Sequence, residues 1–404
     1  MQVTSTPESQ PVAVPRGITR RVVLAVGIAH FINDGYSSFL SPLLPRLMDD
    51  LGMSIALAAS LMMTWSLAGS FLQPLAGYLA DRYGRRFFVV GGPLISAIFL
   101  SLIGLAPSVQ ILALFLIIGG IGSAVFHPPG AALSGGAGGG KGSGVRMSFF
   151  AFGGLFGFAV GPLAVVGLVA VVDLSGMWIA MIPAIIVCGV LFRVLPTDRP
   201  HPDAALPPSP RAVLRMLLGP LGVVFGIGAL SGFLQRLFMT LSPIISAQDG
   251  VSEAMGAVVL SVYMGGQAIG TLAGGVLTDR MDRVYLLAGL TAFSIPAHFF
   301  TFWLPAGSPW MLFAAAIAGF LNLALMPPVI VLAQEIMPKS RGVGSGIVMG
   351  LAWATGSVVV IAFGVLADGI GPRPAAVISL PLVAIATALA FHPTLRLHRR
   401  PDHS

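Results

Sequence analysis

Residues 77–86 read GYLADRYGRR, a short charged loop between two long apolar runs. A second stretch, residues 275–283, reads GVLTDRMDR, and its Asp279 stands 198 residues after Asp81 (279 − 81 = 198). In both copies a glycine is followed four residues later by Asp-Arg and then by further arginine. Glycine lets helices approach closely, and arginine holds a loop on the cytoplasmic side of a membrane. The repeat therefore predicts two related halves built from apolar helices.

The composition is that of a membrane protein. Of the 404 residues, 56% are hydrophobic and only 9% are charged, whereas soluble proteins are about one quarter charged. The net charge is +7, but with the N-terminus inside, 19 of the 22 basic residues fall on the inner side of the predicted helices. This positive-inside pattern explains the charge by topology. We therefore expect a lipid bilayer as the surroundings and no nucleic acid as a partner.

Twelve apolar runs approach the length of about 20 residues that a membrane-crossing helix needs. The first set, spans 1 to 6, falls at 22–44, 56–80, 87–106, 109–133, 146–172 and 174–195. The second set, spans 7 to 12, falls at 216–246, 253–278, 284–304, 309–336, 342–367 and 372–393. The sequence thus predicts an all-α membrane protein made of two pseudo-symmetric six-helix bundles.

The segments around these spans complete the predicted organisation. Residues 196–215 are rich in proline and charge, which is typical of an extended linker. We expect an N-terminal tail at 1–21, a first bundle at 22–195, a linker at 196–215, a second bundle at 216–393 and a basic tail at 394–404. Both tails are expected in the cytoplasm.

Prolines also recur between the halves. Pro128-Pro129 in span 4 corresponds to Pro327-Pro328 in span 10, and Pro42 in span 1 corresponds to Pro243 in span 7. Matched prolines predict breaks or bends at equal depth in corresponding helices. The alternative is that proline is simply common in membrane helices.

Span 1 carries one continuous polar face. Its members share a helical spacing of three or four residues: His30, Asn33, Asp34, Ser37, Ser38 and Ser41. Lipid cannot solvate such a face, so it must meet a wet cavity or other polar groups. Asp34 is the carboxylate placed deep inside a span, where limited hydration suits a group that takes up and releases a proton. His30, one turn away, is a candidate to share that proton. The alternative is a structural Asp34, paired permanently with a helix backbone or with Arg236.

Four further polar residues are candidates for the substrate cavity. Arg236, beside Gln235 in span 7, falls almost where Asp34 lies in the repeat. It predicts either a cationic anchor for an anionic solute or a fixed salt bridge to Asp34. His127 in span 4 and Asn322 in span 10 are the other two, with a purely structural role as the alternative for each.

Span 5 contains a glycine series, namely Gly153, Gly154, Gly157, Gly161 and then Pro162. Small residues at intervals of four let helices approach and slide, so we expect span 5 to belong to a gate rather than to a binding site.

The two charged loops are expected to seal the inner gate. Asp81 would meet the start of span 11 and Asp279 the start of span 5. The gate residues are Gly77, Asp81, Arg82, Gly84, Arg85, Arg86, Arg146, Gly275, Asp279, Arg280, Arg283 and Arg341.

The repeated loop and the twelve-span layout resemble the major facilitator superfamily of membrane transporters over nearly the whole chain. A narrower likeness rests on HFIND at 30–34, SAVFHP at 123–128 and FGG at 152–154. Together with Gly161-Pro162, which resembles a signature of proton-coupled antiporters, these stretches resemble the fosmidomycin-resistance group of that superfamily.

Members of that group are proton-driven exporters, and fosmidomycin is a phosphonate antibiotic. The resemblance implies that His30, Asp34 and His127 lie at the transport site. The chain departs from the group's pattern at two positions. Pro129 stands where the group has an acidic residue, and Asp282 stands where the second loop is expected to have glycine.

These observations predict a monomeric secondary transporter in the bacterial inner membrane. It would export a small organic solute in exchange for protons by alternating access. The solute would be an anion if Arg236 is its anchor. Two alternatives remain, namely a symporter or facilitator that imports a metabolite such as an organic acid, and a sensor that binds without transport. Since the sequence contains no nucleophile constellation, metal cluster or nucleotide motif, we expect no enzyme, no cofactor and no metal.

Overall fold

The structure is a computed structural model that describes residues 16–136, 143–197, 208–337 and 341–396. Each predicted span is present within these residues as one helix or as two or three helical segments in series. Spans 1 to 3 are Arg16–Ser37 with Leu40–Leu51, Ile55–Phe71 with Gln73–Tyr83, and Arg85–Ser101. Spans 4 to 6 are Val109–Gly136, Ser143–Gly176, and Met177–Ala180 with Met181–Val194.

The second half repeats this pattern. Spans 7 to 9 are Pro220–Gln248, Glu253–Arg280 and Arg283–Trp303. Span 10 is Pro309–Ala324 with Met326–Ile336, and span 12 is Pro372–Ser379 with Pro381–Ala390. Span 11 begins with Arg341–Gly346, passes through a π-helical turn at Ile347–Leu351 and continues as Ala352–Ile370.

Among the described residues, ten helical segments are long and apolar enough to cross a membrane. One of them, Arg146–Val194, has 49 residues, or roughly 70 Å of helix, which is more than two bilayer cores. It bends back at Asp173, where φ is +60°, and so contains spans 5 and 6. Span 1 completes the twelve, although its helix is interrupted after Ser37.

The two bundles share a core in only one half of the membrane. Both ends of the described chain and the loops of Arg82 and Arg280 lie on one face, called here the basic face. Near the other face, Leu43 and Leu44 of span 1 belong to the same buried apolar cluster as Phe238 of span 7. Toward the basic face each bundle has a buried cluster of its own. The bundles are therefore joined mainly away from the basic face.

Part of the predicted linker is helical rather than extended. Pro210–Leu217 forms a short helix, because the Ser209 hydroxyl accepts a hydrogen bond from the Ala212 N–H and Pro210 occupies the first turn, a favourable start. Residues 198–207 of that linker, the first 15 residues and residues 397–404 lie outside the described part of the chain.

The matched prolines do not all break their helices. Span 1 is interrupted just before Pro42, and span 10 just before Pro327. Spans 4 and 7 remain continuous through Pro128-Pro129 and Pro243. The structure therefore shows no matched breaks in the two halves, and matched bends stay a prediction. At Pro243 the missing N–H leaves the carbonyl of Met239 free, and the Ser41 hydroxyl of the other bundle donates to that carbonyl at 2.5 Å.

A second polar contact joins the bundles at the face opposite the basic one. The Asp368 carboxylate at the end of span 11 accepts hydrogen bonds from the N–H groups of Ile55 and Ala56, at 2.7 and 3.1 Å. These are unpaired donors at the N-terminus of span 2, where an anion is favourable. Gly364 also lies directly against Ala59 and Ala56. This face is thus held closed by span 11 packing on span 2.

We expect Asp368→Ala to shift the protein toward opening at this face. The loss of such a cap costs about 1 kcal/mol, about a fivefold change in the equilibrium between conformations. Spin labels at Asp50→Cys and Gln248→Cys, in a Cys188→Ala background, should show a larger population at long distance. Glu253→Gln, an exposed acid near the same face, is the control and should leave the distribution unchanged. An unchanged distribution in Asp368→Ala would remove the carboxylate from this role.

Candidate transport site

Asp34 lies buried between two histidines in the first bundle. Its Oδ2 is 3.1 Å from Nε2 of His30, one turn earlier on span 1. Its Oδ1 is 3.3 Å from Nε2 of His127 on span 4. The structure therefore brings together the three residues that the sequence singles out in spans 1 and 4. We call them the His-Asp-His cluster.

The protonation pattern of both rings is constrained by the backbone. His30 Nδ1 lies 2.7 Å from the carbonyl oxygen of Phe150, and His127 Nδ1 lies 2.8 Å from that of Ser123. A carbonyl oxygen only accepts, so each Nδ1 must carry a proton and each Nε2 faces a carboxylate oxygen. A hydrogen bond at either Nε2 contact needs one proton between nitrogen and oxygen. The cluster therefore has two positions that a shared proton can occupy.

Neutral polar groups complete the surroundings of Asp34. The Asn33 amide donates to Asp34 Oδ1 at 2.9 Å and to the Ser123 hydroxyl at 3.1 Å. The Ser96 hydroxyl on span 3 donates to the side-chain amide oxygen of Asn33 at 3.2 Å. Asn33 thus helps to hold the carboxylate in place, and its place at a substrate cavity stays a prediction. Of the cluster side chains, His127 is 29% exposed while His30 and Asp34 are 8% and 10% exposed, so His127 is the link to solvent.

The cluster is packed against the glycine series of span 5. A Cβ at Gly154 would lie 2.4 Å from His30 Nε2 and 2.6 Å from Asp34 Oδ2. Gly153, Gly157 and Gly161 lie equally close to the backbone of span 1. The helix that these glycines approach belongs to the same bundle and carries the cluster, so they lie beside the candidate site; their role in a gate stays a prediction. Pro162 follows in the same helix.

The three side chains of the cluster are also of the kind that bind metals, with donor atoms within 4.8 Å of one another. The sequence does not predict this. In the structure, however, the two carboxylate oxygens each face a different ring at hydrogen-bond distance. That arrangement is one of shared protons rather than of three donors converging on one point.

The second bundle contains a neutral counterpart of this cluster. The Tyr263 hydroxyl lies 3.2 Å from Nε2 of His298 and accepts from the Asn322 amide at 2.9 Å. Asn322 Oδ1 in turn accepts from Ser231 at 2.6 Å. Asn322, expected to bind solute, is thus engaged within its own bundle. His298 is fully buried inside the same bundle.

Arg236 does not pair with Asp34 in this conformation. Its guanidinium carbon lies 4.6 Å from the ring centre of Trp65 and 5.9 Å from that of Trp353. Among the described residues, no carboxylate lies within ion-pairing distance of it. Its neighbour Gln235 bonds to Gln267 on span 8 at 3.0 Å. Because neighbouring residues of a helix point in different directions, Gln235 and Arg236 reach different surroundings.

The loop residues predicted to form a gate are placed as follows. Asp81 pairs with Arg85 at 2.8 Å, and Arg82 bonds to Tyr78. A Cβ added at Gly77 would lie 3.2 Å from Cβ of Pro128 on span 4, and Gly84 has a φ of +101° between spans 2 and 3.

The remaining gate residues extend along the basic face. Arg86 stacks on Phe192 at 4.1 Å, Arg283 pairs with Glu335 at 2.5 Å, and Arg146 donates to the carbonyl of Ser134. Asp279 and Arg280 are exposed, and Gly275 has open space around its Cα. The side chain of Arg341 lies outside the described part of the structure. The sealing contacts of these loops stay a prediction.

Family comparison resolves what kind of protein holds this arrangement. A model of the Major Facilitator Superfamily matches residues 26–224 and, a second time, residues 224–403. The chain belongs to the Major Facilitator Superfamily. The predicted fold is thereby confirmed. Proteins of this superfamily are carriers rather than enzymes.

Two relatives cover most of this superfamily member. The fosmidomycin resistance protein of Escherichia coli K12 is 27% identical over 381 residues, 89% of this chain and 91% of the relative. The uncharacterized MFS-type transporter YfnC of Bacillus subtilis 168 is 25% identical over 407 residues, 97% of each chain. The resemblance to the fosmidomycin-resistance group is thereby confirmed.

Solved structures show the same fold. A bacterial homolog of the human lysosomal transporter Spinster, in an inward-facing and unoccupied conformation, matches with a TM-score of 0.75 at 17% identity. The match covers 96% of this chain and 100% of that one. A mutant of the nucleoside transporter NupG matches with a TM-score of 0.75 at 14% identity, over 91% and 98% of the two chains.

Several residues of the site are absent from the sequence-based candidates. Ser96 and Ser123 are single hydroxyls in apolar runs, and Trp65 and Trp353 look like ordinary membrane aromatics. The signal that could have found the tryptophans is their rarity, five in 404 residues. Gly154 was visible in the glycine series, but its contact with the cluster depends on how span 5 is rotated.

We expect Gly154→Ala to abolish transport by displacing His30 and Asp34, since the new methyl group cannot fit beside either polar atom. Gly167→Ala is the matched control, because it lies on the same span with no atom within 4 Å of its added Cβ. Export of a test solute, measured with the amount of folded protein in the membrane, checks the pair. Normal export by Gly154→Ala would mean that the cluster geometry does not matter.

Proposed function

We propose that the chain is a proton-coupled exporter of a small organic solute in the bacterial inner membrane. The observation that carries this proposal is the buried His-Asp-His cluster, with two contacts that each require a proton. The fosmidomycin resistance protein as a relative supports export. A single chain contains both bundles, so we propose that it works as a monomer.

The cluster couples proton binding to conformation through its charge. Without a shared proton its net charge is −1, with one it is neutral and with two it is +1. Changing the charge of a buried site is costly unless the surroundings change with it. Release of a proton therefore favours a conformation in which water reaches Asp34, and binding favours one in which the bundles close over it.

The basic face is proposed to be the cytoplasmic one, because positively charged loops are retained there. The separate cores of the bundles toward this face support an opening on that side. Solute would enter from the cytoplasm while the cluster releases protons through the partly exposed His127. Protons taken up after the outer face opens would return the empty carrier.

A second candidate is import of an organic acid together with protons. One observation favours it: Arg236 is a buried cation near the cluster. With an anion bound to Arg236, the occluded cavity is neutral when the cluster carries one shared proton. Without the anion, the cavity is neutral when the cluster carries no shared proton, because the charges of Arg236 and Asp34 then cancel. The two candidates differ in whether the solute moves in the opposite direction to the protons, as in export, or in the same direction, as in import.

Everted membrane vesicles distinguish these candidates, with fosmidomycin as the first test solute. An exporter takes up external solute and releases protons from an acidified lumen, which a fluorescent pH probe reports. We expect Asp34→Asn to abolish this proton release, and His30→Gln and His127→Gln to reduce it strongly, because each removes a proton position.

His392→Gln, on an exposed histidine near the end of span 12, serves as the control and should behave as wild type. Unchanged proton release in Asp34→Asn would exclude the carboxylate from coupling. Exit of preloaded solute along with protons would establish import instead. Binding of solute without flux in either direction would indicate a sensor.

A further inference from the structure

Arg236 is a buried charge without a counter-ion. It is 6% exposed, and the only polar contact of its guanidinium among the described residues is Nη1 to Sδ of Met239 at 3.6 Å. Asp34 is close enough to interact with it through space, but both oxygens of that carboxylate face histidines. The charge of Arg236 is therefore not neutralised by any pair that the described structure contains.

The flanking aromatic rings do not compensate for this burial. A cation–π contact contributes about 0.5–1 kcal/mol at exposed sites and about 2 kcal/mol when desolvated. Removing a charged group from water costs several kcal/mol even after the protein relaxes. Two ring contacts, one of them at 5.9 Å, leave most of that cost in place. An arginine that only packed the core would be an expensive choice here.

Unpartnered donors are concentrated around the same guanidinium. Nε of Arg236 and the indole Nε1 atoms of Trp65 and Trp353 are all buried with no hydrogen-bond partner. Each of these atoms carries an N–H that can only donate. Buried donors are nearly always paired in native proteins. Three of them beside one unneutralised cation indicate a missing acceptor that carries negative charge.

We propose that Trp65, Arg236 and Trp353 form an oxyanion site for the acidic group of the solute, a carboxylate or a phosphonate. A guanidinium presents a planar fork of donors that matches either group. The tryptophans add one N–H each and two apolar walls for the body of the solute. The inference rests on the proposed transport function and holds for both directions of transport.

The position of the site between the bundles explains how it can open and close. Trp65 belongs to span 2 in the first bundle, whereas Arg236 and Trp353 belong to spans 7 and 11 in the second. Rocking of the bundles must separate Trp65 from the other two residues. A bound oxyanion would therefore be enclosed from both sides in the conformation described here and released when the bundles part.

Calorimetric titration of the purified protein in lipid nanodiscs tests the site without any proton gradient. Phenylphosphonate and benzoate distinguish the two oxyanions on one ring, and benzamide is the neutral control. We expect at least one oxyanion to bind and benzamide not to bind. Arg236→Gln should weaken binding about tenfold or more, since it removes a hydrogen bond to a charged group.

Conservative variants keep the test independent of folding. Trp65→Phe and Trp353→Phe retain a ring and lose one N–H, and each should weaken binding about threefold to tenfold. Arg236→Lys keeps the charge but loses the planar fork, and it should also bind more weakly. Trp310→Phe, an exposed tryptophan away from the site, is the control and should bind as wild type.

The outcomes separate this site from the coupling mechanism. Asp34→Asn should still bind the oxyanion, because it leaves the three donors intact. Wild-type affinity in Arg236→Gln, or no binding of either oxyanion by the wild type, would overturn the site even if proton-driven transport is observed. Loss of binding in Arg236→Gln together with unaltered binding in Trp310→Phe supports it even if transport proves to be independent of protons.

Discussion

A carboxylate held out of water between two imidazole rings is the constraint on which the rest of the first bundle depends. Both rings are oriented by backbone carbonyls, so the Asp34 oxygens meet Nε2 atoms whose protons decide between attraction and repulsion. Such a pair is stable only when the supporting helices hold it within hydrogen-bond distance. The absence of a side chain at Gly154 provides the room, and Asn33, which also donates to Ser123, donates a further hydrogen bond to Asp34 Oδ1.

Comparison of the two bundles supports the proposed role of the cluster in proton coupling. Ser96 and Ser123 of the first bundle correspond in the repeat to Ser294 and Asn322 of the second. The second network is neutral, since His298 accepts from Tyr263 and no carboxylate takes part. A satisfied neutral network rigidifies a bundle with no cost that varies with pH. An ionisable network in the matching place supports the proposal that the first bundle uses a change of charge.

Much of this could be predicted from the sequence, because the bilayer imposes simple rules on length, charge placement and polar faces. The twelve spans, the repeat and the grouping of His30 and Asp34 follow from period and composition. What escaped prediction depends on rotation and packing. The glycines of span 5 could face either bundle, and Pro128-Pro129 and Pro327-Pro328 differ in effect although their sequence context is alike. The pairing of Arg236 required knowing which neighbours span 7 presents to it.

The contacts between the bundles and the two polar sites form one connected arrangement. Ser41 lies two turns beyond Asp34 on span 1, and it donates to the carbonyl of Met239 that Pro243 leaves unpaired. Met239 also provides the sulfur beside Arg236. Any movement that separates span 1 from span 7 therefore breaks the Ser41 hydrogen bond and shifts the guanidinium from Trp65 at the same time. Because packed helices move as units rather than deforming gradually, the proposed proton binding at Asp34 and the proposed solute binding at Arg236 would act on the same two conformations, although no hydrogen bond joins the two residues.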